Sequence, residues 1–471
     1  MTVLDDGLSY ETFIASKSLK VAPSGFDIER SKLHAALFDF QRDIVKWALK
    51  RGKAAIFAGT GLGKTLMQVE WGERVYQEKK GKILILAPLA VSSQTAREAE
   101  KVGVQITVCQ DMNDVRDGIN ITNYEKLHKF DPSHFTGIVL DESSILKAYD
   151  SKTRNQIITS FAQTPYKLAC TATPAPNDFM ELGNHAEFLN VMSRTEMLSM
   201  FFVHDGGDTS QWRLKGHAEE KFWEWVASWA VMIRKPSDLG YDDDRFNLPP
   251  LNVQDVTIQV NKPSDGHLFA VEALTLQERR NARHSTIVER AEAAKALYDQ
   301  SPNDKWLIWC DLNAEQDALE DLFKGSCVSI RGNTPDDDRL SREKEWREGS
   351  TPVLITKSVI FGMGLNWQHC HKMIFVGLSD SFEQIYQAIR RCYRFGQEHS
   401  VDVFMVTSNL EGAVTANIKR KENDFERMQD AMTQHTKAIM AENIKNASVE
   451  KTEYAAAKRM IIPDWIRSEV A

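Results

Sequence analysis

A glycine-rich loop between an apolar run and a helical pattern is the stretch whose residue types and spacing most clearly suggest chemistry. Its backbone N–H groups, together with the N-terminus of the helix that follows, suit a phosphate group. In such a loop Lys64 would reach the β- and γ-phosphates and the Thr65 hydroxyl would ligate Mg²⁺. Ala58 stands where the strict pattern has glycine, and a plain turn before a helix is the alternative. The predicted phosphate-binding residues are Gly59, Thr60, Gly61, Leu62, Gly63, Lys64 and Thr65.

The elements around this loop predict a parallel sheet. Apolar runs read as buried strands and alternate with helical patterns, which is typical of a sheet covered on both faces. A second set of alternating strands and helices follows in the second half of the chain and has no phosphate loop of its own. The chain is therefore expected to form two lobes, with nucleotide bound between them. The predicted strands span residues 54–57, 83–88, 105–109, 119–122, 137–142 and 166–171 in the first set, and 306–310, 327–330, 353–356, 373–377 and 401–406 in the second.

Asp141 and Glu142 end one of these apolar strands. Two adjacent carboxylates there are costly unless they hold a cation or activate water. Asp141 would hold the metal, and Glu142 would orient and deprotonate the attacking water. The alternative is an acidic helix N-cap after a strand.

Arg391 and Arg394 lie three residues apart in the second half, on one helix face. From the facing lobe their guanidinium groups could neutralise charge on a transferring phosphoryl group. An exposed basic helix face is the alternative. Gln41 lies about twenty residues before the phosphate loop, and its amide could bond adenine bidentately.

Composition limits the remaining classes. Of the 471 residues, 42% are hydrophobic and 26% charged, with no apolar run long enough to span a bilayer. The N-terminus lacks the basic and apolar regions of a signal peptide. Six scattered cysteines without a CxxC pair indicate neither a zinc ribbon nor a disulfide framework. A net charge of −8 excludes a generally basic nucleic-acid coat but permits a local positive groove.

Three segments together resemble motifs I, II and III of superfamily-two helicases. They are Gly61–Thr65, Asp141-Glu142-Ser143-Ser144 and Thr171-Ala172-Thr173-Pro174. Residues 387–397 resemble motif VI, which adds Gln387 to the nucleotide site. Residues 362–366 resemble motif V and imply that Gly364 links phosphates to the ATP cleft. The resemblance to motifs Ia, Ib and V implies nucleic-acid contacts by Pro88, Thr122, Asn123, Tyr124, Thr356 and Lys357.

A narrower resemblance is to the Snf-type double-stranded DNA translocases. It rests on Phe188-Leu189, residues 232–238, and the ending Arg394-Phe395-Gly396-Gln397. Arg390 stands where most of that group has glycine. A compact chain of this kind also resembles helicase-like proteins of bacteriophages.

The expected fold class is α/β, with two tandem RecA-like parallel-sheet lobes, a helical insertion and a helical C-terminal tail. An N-terminal entry segment spans residues 1–32. The ATP-binding lobe spans 33–176, the helical insertion and linker 177–250, the second lobe 251–410 and the tail 411–471.

The expected function is ATP-dependent movement along nucleic acid, double-stranded DNA being favoured, with ATP and Mg²⁺ as cofactors. The expected protein is a cytoplasmic monomer, in the bacterial host if phage-encoded, without a membrane partner; a protein partner is left open. An RNA or forked-DNA helicase is one alternative. A nucleotide-gated DNA-binding clamp, or the motor subunit of a nuclease complex, is another.

Overall fold

Two parallel α/β lobes make up most of the chain. The computed structural model describes residues 21–88, 91–205, 208–243, 245–260, 276–361, 365–379 and 381–448. Each lobe buries a sheet of apolar strands between helices, as the apolar runs predicted.

The first lobe is built around a sheet that, in the described part of the chain, runs in the order β3-β4-β2-β5-β6-β1-β9 with parallel neighbours. Its strands are β1 (Lys53–Ala58), β2 (Lys82–Ala87), β3 (Ile106–Val108), β4 (Ile119–Asn123), β5 (Phe135–Asp141), β6 (Tyr166–Thr171) and, after a hairpin, β9 (Ala230–Ile233). Its helices are α1 (Asp39–Arg51), α2 (Lys64–Lys79), α3 (Ser92–Glu100) and α4 (Lys152–Ser160).

The segment predicted as a helical insertion, 177–250, differs from that prediction in two ways. It contains α5 (Leu182–Phe188), α6 (Arg194–Phe201) and α7 (Glu219–Ala227), but also an antiparallel hairpin of β7 (Phe202–Asp205) and β8 (Asp208–Leu214). In addition, β9 pairs with β1, with Ala55 opposite Ala230. The strand is fully buried and satisfies the edge of β1, so the predicted boundary at residue 176 divides one sheet.

The second lobe holds a sheet in the order β10-β15-β14-β11-β13-β12. The strands are β10 (Leu251–Ile258), β11 (Trp306–Cys310), β12 (Cys327–Ser329), β13 (Val353–Lys357), β14 (Lys372–Val376) and β15 (Val401–Ser408). The edge strand β10 was not predicted, because most of its residues are exposed or half-exposed and lack an apolar run. The helices are α8 (Leu276–Ser285), α9 (Ile287–Tyr298), α10 (Asn313–Leu322), α11 (Asp336–Glu348), α12 (Ser358–Phe361) and α13 (Phe382–Ile389).

The tail forms one long helix, α14 (Gly412–Ser448), as the helical prediction implied. It leaves the second lobe and packs back on α1, α7 and β9 of the first. The Phe425 ring meets Phe382 and Tyr386 of the second lobe at 5.5 and 5.4 Å. The sequence also has an apolar patch at residues 460–463, which lies outside the described residues. Within the described chain we find no helix with the length and apolarity that crossing a bilayer would take.

Short 3₁₀ turns complete the connections. They span Arg30–Lys32, Met112–Asp114, Tyr124–Lys129, Pro132–His134, Ser143–Leu146, Phe179–Glu181, Gly216–Ala218, Pro236–Leu239 and Asn409–Glu411.

Candidate active site

The glycine-rich loop joins β1 to α2, as predicted, and two of its glycines are sterically required. Gly61 and Gly63 have φ angles of 90° and 78°, a region that side chains disfavour. A Cβ on Gly63 would lie 2.3 Å from Gln41 Nε2, and one on Gly61 would lie 2.8 Å from the backbone nitrogen of Phe395. The second of these contacts comes from the other lobe, so the loop lies directly against residues of the motif VI-like segment.

Lys64 is the first residue of α2, and its Nζ donates to the Ala58 carbonyl oxygen at 2.8 Å. Burial lowers the pKa of this amine, although the carboxylates of Glu142 and Asp141 oppose that shift. A phosphate group placed in the loop would add negative charge where the buried amine has little solvent to stabilise it.

Asp141 ends β5 and lies beneath the loop. Its Oδ1 accepts a hydrogen bond from Gln68 Nε2 at 2.7 Å. Burial, and then the adjacent Glu142, raise the pKa of Asp141 to about 6. The buried carboxylate of Asp141 and the half-buried one of Glu142 disfavour each other's ionisation. A divalent cation would remove that conflict, so these residues fit a hard metal ion.

Glu142 has a left-handed backbone conformation, with φ of 53°. Such conformations in non-glycine residues are strained and concentrate at functional sites. Its side chain makes no capping bond to the following 3₁₀ turn, so the N-cap alternative is not what the structure contains. Instead Oε2 accepts a hydrogen bond from Thr171 Oγ1 at 3.4 Å.

Arg391 and Arg394 lie in the turn after α13, which ends at Ile389, so the prediction that they share a helix face was wrong. Arg391 is buried, with 3% exposure, which excludes the exposed basic face. Its guanidinium donates to the Gln387 carbonyl oxygen at 3.0 Å, to Gln387 Oε1 at 3.3 Å and to the Leu365 carbonyl oxygen at 3.2 Å. Burial and the neighbouring Arg394 lower the pKa of Arg391 to about 10. Among the described residues no carboxylate lies within ion-pairing distance of Arg391. Its positive charge is therefore available to a bound anion.

Arg394 lies beside it and donates to the Leu365 carbonyl oxygen at 3.4 Å. Burial lowers the pKa of Arg394 as well. Its Nε is buried without a hydrogen-bond partner among the described residues. Arg391 and Arg394 thus place two positive charges side by side in the second lobe, with few hydrogen-bond acceptors around them.

A cavity of about 330 Å³ brings these groups together. It is lined from both lobes, which is the arrangement predicted for nucleotide between them. The predicted site residues on its wall are Thr60, Gly61, Gly63, Lys64, Thr65, Asp141, Glu142, Arg391 and Arg394.

Other predicted nucleotide-site residues support the cavity instead of lining it. Gln41 is 2% exposed, and its amide accepts from the Phe38 N–H at 2.9 Å and donates to the Leu62 carbonyl oxygen at 2.8 Å. The oxygen and the nitrogen of this amide each already bond the chain, and bidentate bonding of adenine by Gln41 stays a prediction. Leu62 is buried, and Gly59 faces the Arg234 backbone.

Gln387 is also buried and reaches the first lobe, where Nε2 donates to Thr173 Oγ1 at 3.5 Å. It therefore joins the lobes and does not line the cavity. Gly364 lies outside the described residues.

The side chains predicted to contact nucleic acid are mostly inside the protein. Thr122 and Thr356 donate to the carbonyl oxygens of Cys109 and Ile330, and Asn123 caps the 3₁₀ turn that follows it. The Tyr124 hydroxyl donates to the Asp141 carbonyl oxygen at 2.7 Å, and burial raises its pKa. These four side chains bond the protein's own backbone, and nucleic-acid contact by the four residues stays a prediction. Pro88 and Lys357 are half-exposed, and Lys357 Nζ contacts Asn313 Oδ1 at 2.6 Å.

The sequence analysis did not identify several residues that support the candidate site. Gln68 holds Asp141, and its position four residues after Lys64 places both on one face of α2, a signal that could have been used. Thr173, Lys147 and Glu383 meet between the lobes. No local pattern marks that meeting, because the partners lie more than 200 residues apart.

Comparison with known proteins gives matches in both lobes. Residues 40–202 match the SNF2-related domain, and residues 289–396 match the helicase conserved C-terminal domain. The chain is 24% identical over 427 residues to the DNA annealing helicase and endonuclease ZRANB3 of Bos taurus, covering 81% of this chain and 39% of that protein. It is 20% identical over 429 residues to the chromatin remodeling factor mit1 of Schizosaccharomyces pombe, covering 77% and 30%.

These curated relatives are much longer proteins, and the chain spans about two-fifths of ZRANB3 or less than a third of mit1. A solved structure, the Sulfolobus solfataricus SWI2/SNF2 ATPase core in complex with double-stranded DNA, is 17% identical and covers 90% of this chain and 99% of its own, with a TM-score of 0.41. With an SNF2-related domain on its first lobe and a helicase C-terminal domain on its second, the chain belongs to the Snf-type branch of helicase superfamily two.

Proposed function

We propose that this protein hydrolyses ATP in the cavity between its lobes and uses the resulting opening and closing to move along double-stranded DNA. The observation that carries the proposal is the composition of that cavity. The phosphate loop and acid pair come from the first lobe, and Arg391 and Arg394 come from the second. Hydrolysis therefore requires the lobes to be together, which links chemistry to a conformational step.

The first-lobe residues would hold the nucleotide. Backbone N–H groups of the loop face the phosphates, and Lys64 neutralises part of their charge. Thr65 and Asp141 would hold Mg²⁺. When bound there, Mg²⁺ would supply positive charge against the phosphates.

Glu142 would take the proton from the attacking water, oriented by the Thr171 hydroxyl at 3.4 Å. Arg391 and Arg394 would stabilise the charge that develops on the transferred phosphoryl group. Because their guanidinium groups are desolvated, that stabilisation would be stronger than in water.

DNA would lie across both lobes and favour the closed arrangement. Pro88 on the first lobe and Lys357 on the second are the accessible members of the predicted contact set. Contacts to DNA phosphates do not depend on base sequence. Because they release counterions, the affinity for DNA should fall log-linearly with salt concentration. A monomer in the cytoplasm, the bacteriophage origin and the domain limits stay predictions.

The test compares steady-state ATP turnover with double-stranded DNA, single-stranded DNA, RNA and no nucleic acid. We expect double-stranded DNA to raise the turnover rate. Glu142→Gln should bind ATP–Mg²⁺ and lose turnover, while the control Glu78→Gln, on an exposed surface of the same lobe, should behave as the parent.

Stimulation by RNA alone would move the protein to the RNA-helicase alternative. ATP-dependent DNA binding without turnover in the parent protein would favour the clamp. Parent-like turnover in Glu142→Gln would refute the assignment of the base.

A further inference from the structure

Glu383 of the second lobe has its polar partners in the first. It lies in the opening turn of α13 and is 5% exposed. Its Oε2 pairs with Lys147 Nζ, and its Oε1 accepts from Thr173 Oγ1 at 3.3 Å. Lys147 directly follows the 3₁₀ turn after the acid pair, and Thr173 follows β6.

From Thr173 the hydrogen bonds continue to the predicted base. The Thr173 N–H donates to Thr171 Oγ1 at 3.1 Å, and the Thr171 hydroxyl donates to Glu142 Oε2 at 3.4 Å. A continuous path of hydrogen-bonded residues therefore runs from α13 of one lobe to Glu142 in the cavity of the other.

The same helix also positions Arg391, which lies in the turn after α13 and completes the cavity. Gln387 lies one turn after Glu383 and donates to Thr173 Oγ1 at 3.5 Å, while its carbonyl oxygen accepts from Arg391 Nε at 3.0 Å. The placement of α13 on the first lobe therefore fixes both Arg391 and the threonine pair beside Glu142.

A buried carboxylate is costly unless it is paired. Because the ion-pair and hydrogen-bond partners of Glu383 in the described chain come from the other lobe, they compensate its burial only while the lobes are together. Separation would expose Glu383 to water and release Thr173 at the same time. The contact of Glu383 with Lys147 and Thr173 therefore exists only when the two lobes are closed.

We propose that Glu383 is a positioning residue: by engaging Lys147 and Thr173 when the lobes close, it orients Thr171 and hence Glu142 for water activation. The inference rests on the proposed ATP hydrolysis and names the contact through which lobe closure would reach the base. Glu383 itself does not touch the reacting atoms.

The experiment measures ATP affinity and the maximal turnover rate, with and without double-stranded DNA, in Glu383→Gln, Glu383→Ala and Lys147→Glu. We expect turnover with DNA to fall roughly 10- to 100-fold, as for a misplaced catalytic group. ATP affinity should change by less than about threefold, because these side chains do not line the nucleotide cavity. Glu187→Gln is the matched control, since it breaks an ion pair with Arg154 inside the first lobe.

The double variant Lys147→Glu with Glu383→Lys restores an opposite-charge pair in reverse. The swap restores the ion pair but not the acceptor for the Thr173 hydroxyl. A positioning role therefore predicts that the double variant turns over ATP faster than Lys147→Glu alone, whereas general damage to the fold predicts additive loss. Melting temperatures check that each variant is folded, and Glu383→Gln keeps the inference testable if Glu383→Ala does not fold.

Parent-like turnover in folded Glu383→Gln and Lys147→Glu would overturn the inference, as would fully additive loss in the double variant. Failure of the proposed function has a different signature, because the parent protein itself would then show no stimulation by DNA. In that case the turnover without DNA in the same variants still decides the role of Glu383.

Discussion

Replacing Arg391 by methionine should separate catalysis from stability. The guanidinium is 3% exposed and bonds only to neutral oxygens of Gln387 and Leu365 in the described structure. In Arg391→Met the apolar side chain fills much of the same volume, but it carries no charge to offer a phosphoryl group.

The expected effect on stability follows from the lowered pKa. A drop from 12.5 to about 10 corresponds to about 3 kcal/mol for holding the charge in this place, at 1.36 kcal/mol per unit. Because the pKa of a base is lowered, this cost is fully present at every pH below about 10. Methionine removes the cost but leaves acceptors unpaired, at about 1–3 kcal/mol each. The Leu365 oxygen keeps its bond from Arg394, so two Gln387 acceptors lose their partner, at about 2–6 kcal/mol together. We therefore expect the free energy of unfolding to fall by no more than about 3 kcal/mol.

The expected effect on turnover is far larger. Arginines that stabilise a transferred phosphoryl group contribute about 10³- to 10⁵-fold in rate. Single-turnover ATP hydrolysis with saturating double-stranded DNA measures the chemical step, and urea unfolding of the same preparation measures stability. ATP affinity should fall much less than the rate, since the stabilised charge is larger in the transition state.

Arg390→Met is the matched control. Arg390 is half-exposed and stacks on Tyr386 and Tyr393 at 5.0 and 5.1 Å from the ring centres. It does not line the cavity, so its loss should leave turnover within about threefold of the parent. If Arg391→Met retained more than a tenth of the parent rate, or if both variants lost turnover equally, the assignment of Arg391 to the phosphoryl group would be wrong.

Three further predictions concern the fold that holds the site. Burial, and then Lys53, lower the pKa of Lys167 to about 7, so above pH 7 the unfolded chain binds one proton more than the folded chain. The free energy of unfolding of the parent, relative to Lys167→Met, should therefore rise by about 2 kcal/mol from pH 7 to 8.5. Equal pH profiles of the two proteins in urea titrations would contradict this. Gly61→Ala should abolish most turnover because its Cβ would meet the backbone of Phe395. Gly103 also has positive φ, at 72°, but faces open space, so Gly103→Ala should lose only about 1 kcal/mol of stability and no turnover. Phe425→Ala should cost about 3–5 kcal/mol and make the lobes unfold in separate calorimetric steps; a single unshifted transition would show that α14 does not hold them together.

The sequence determined the local architecture around the nucleotide site. Apolar runs of strand length alternate with helical patterns, and a buried parallel sheet follows from that periodicity alone. The glycine-rich loop likewise encodes its own conformation, since Gly61 and Gly63 occupy positive φ without side-chain cost. Asp141 and Glu142 could be found from the sequence because two carboxylates at the end of an apolar strand are costly unless they have a function.

Tertiary structure decided how polar side chains are used. Gln41 and Tyr124 belong to segments whose patterns predicted ligand contact, yet Gln41 holds the phosphate loop and Tyr124 supports the Asp141 backbone. A residue's type gives its hydrogen-bonding capacity, but its neighbours determine which partner takes it. A buried polar group must be satisfied, and the nearest backbone was available in both cases.

The longest-range features could be found only in three dimensions. β9 joins the first sheet after a hairpin, and α14 returns from the second lobe to the first. Glu383 meets Lys147 across 236 positions of sequence. Periodicity records whether a residue is buried but not what covers it, because covering depends on the packing of whole lobes. For that reason the sequence determined the two lobes and most of the residues on the cavity wall, while only their packing decided which side chains join one lobe to the other.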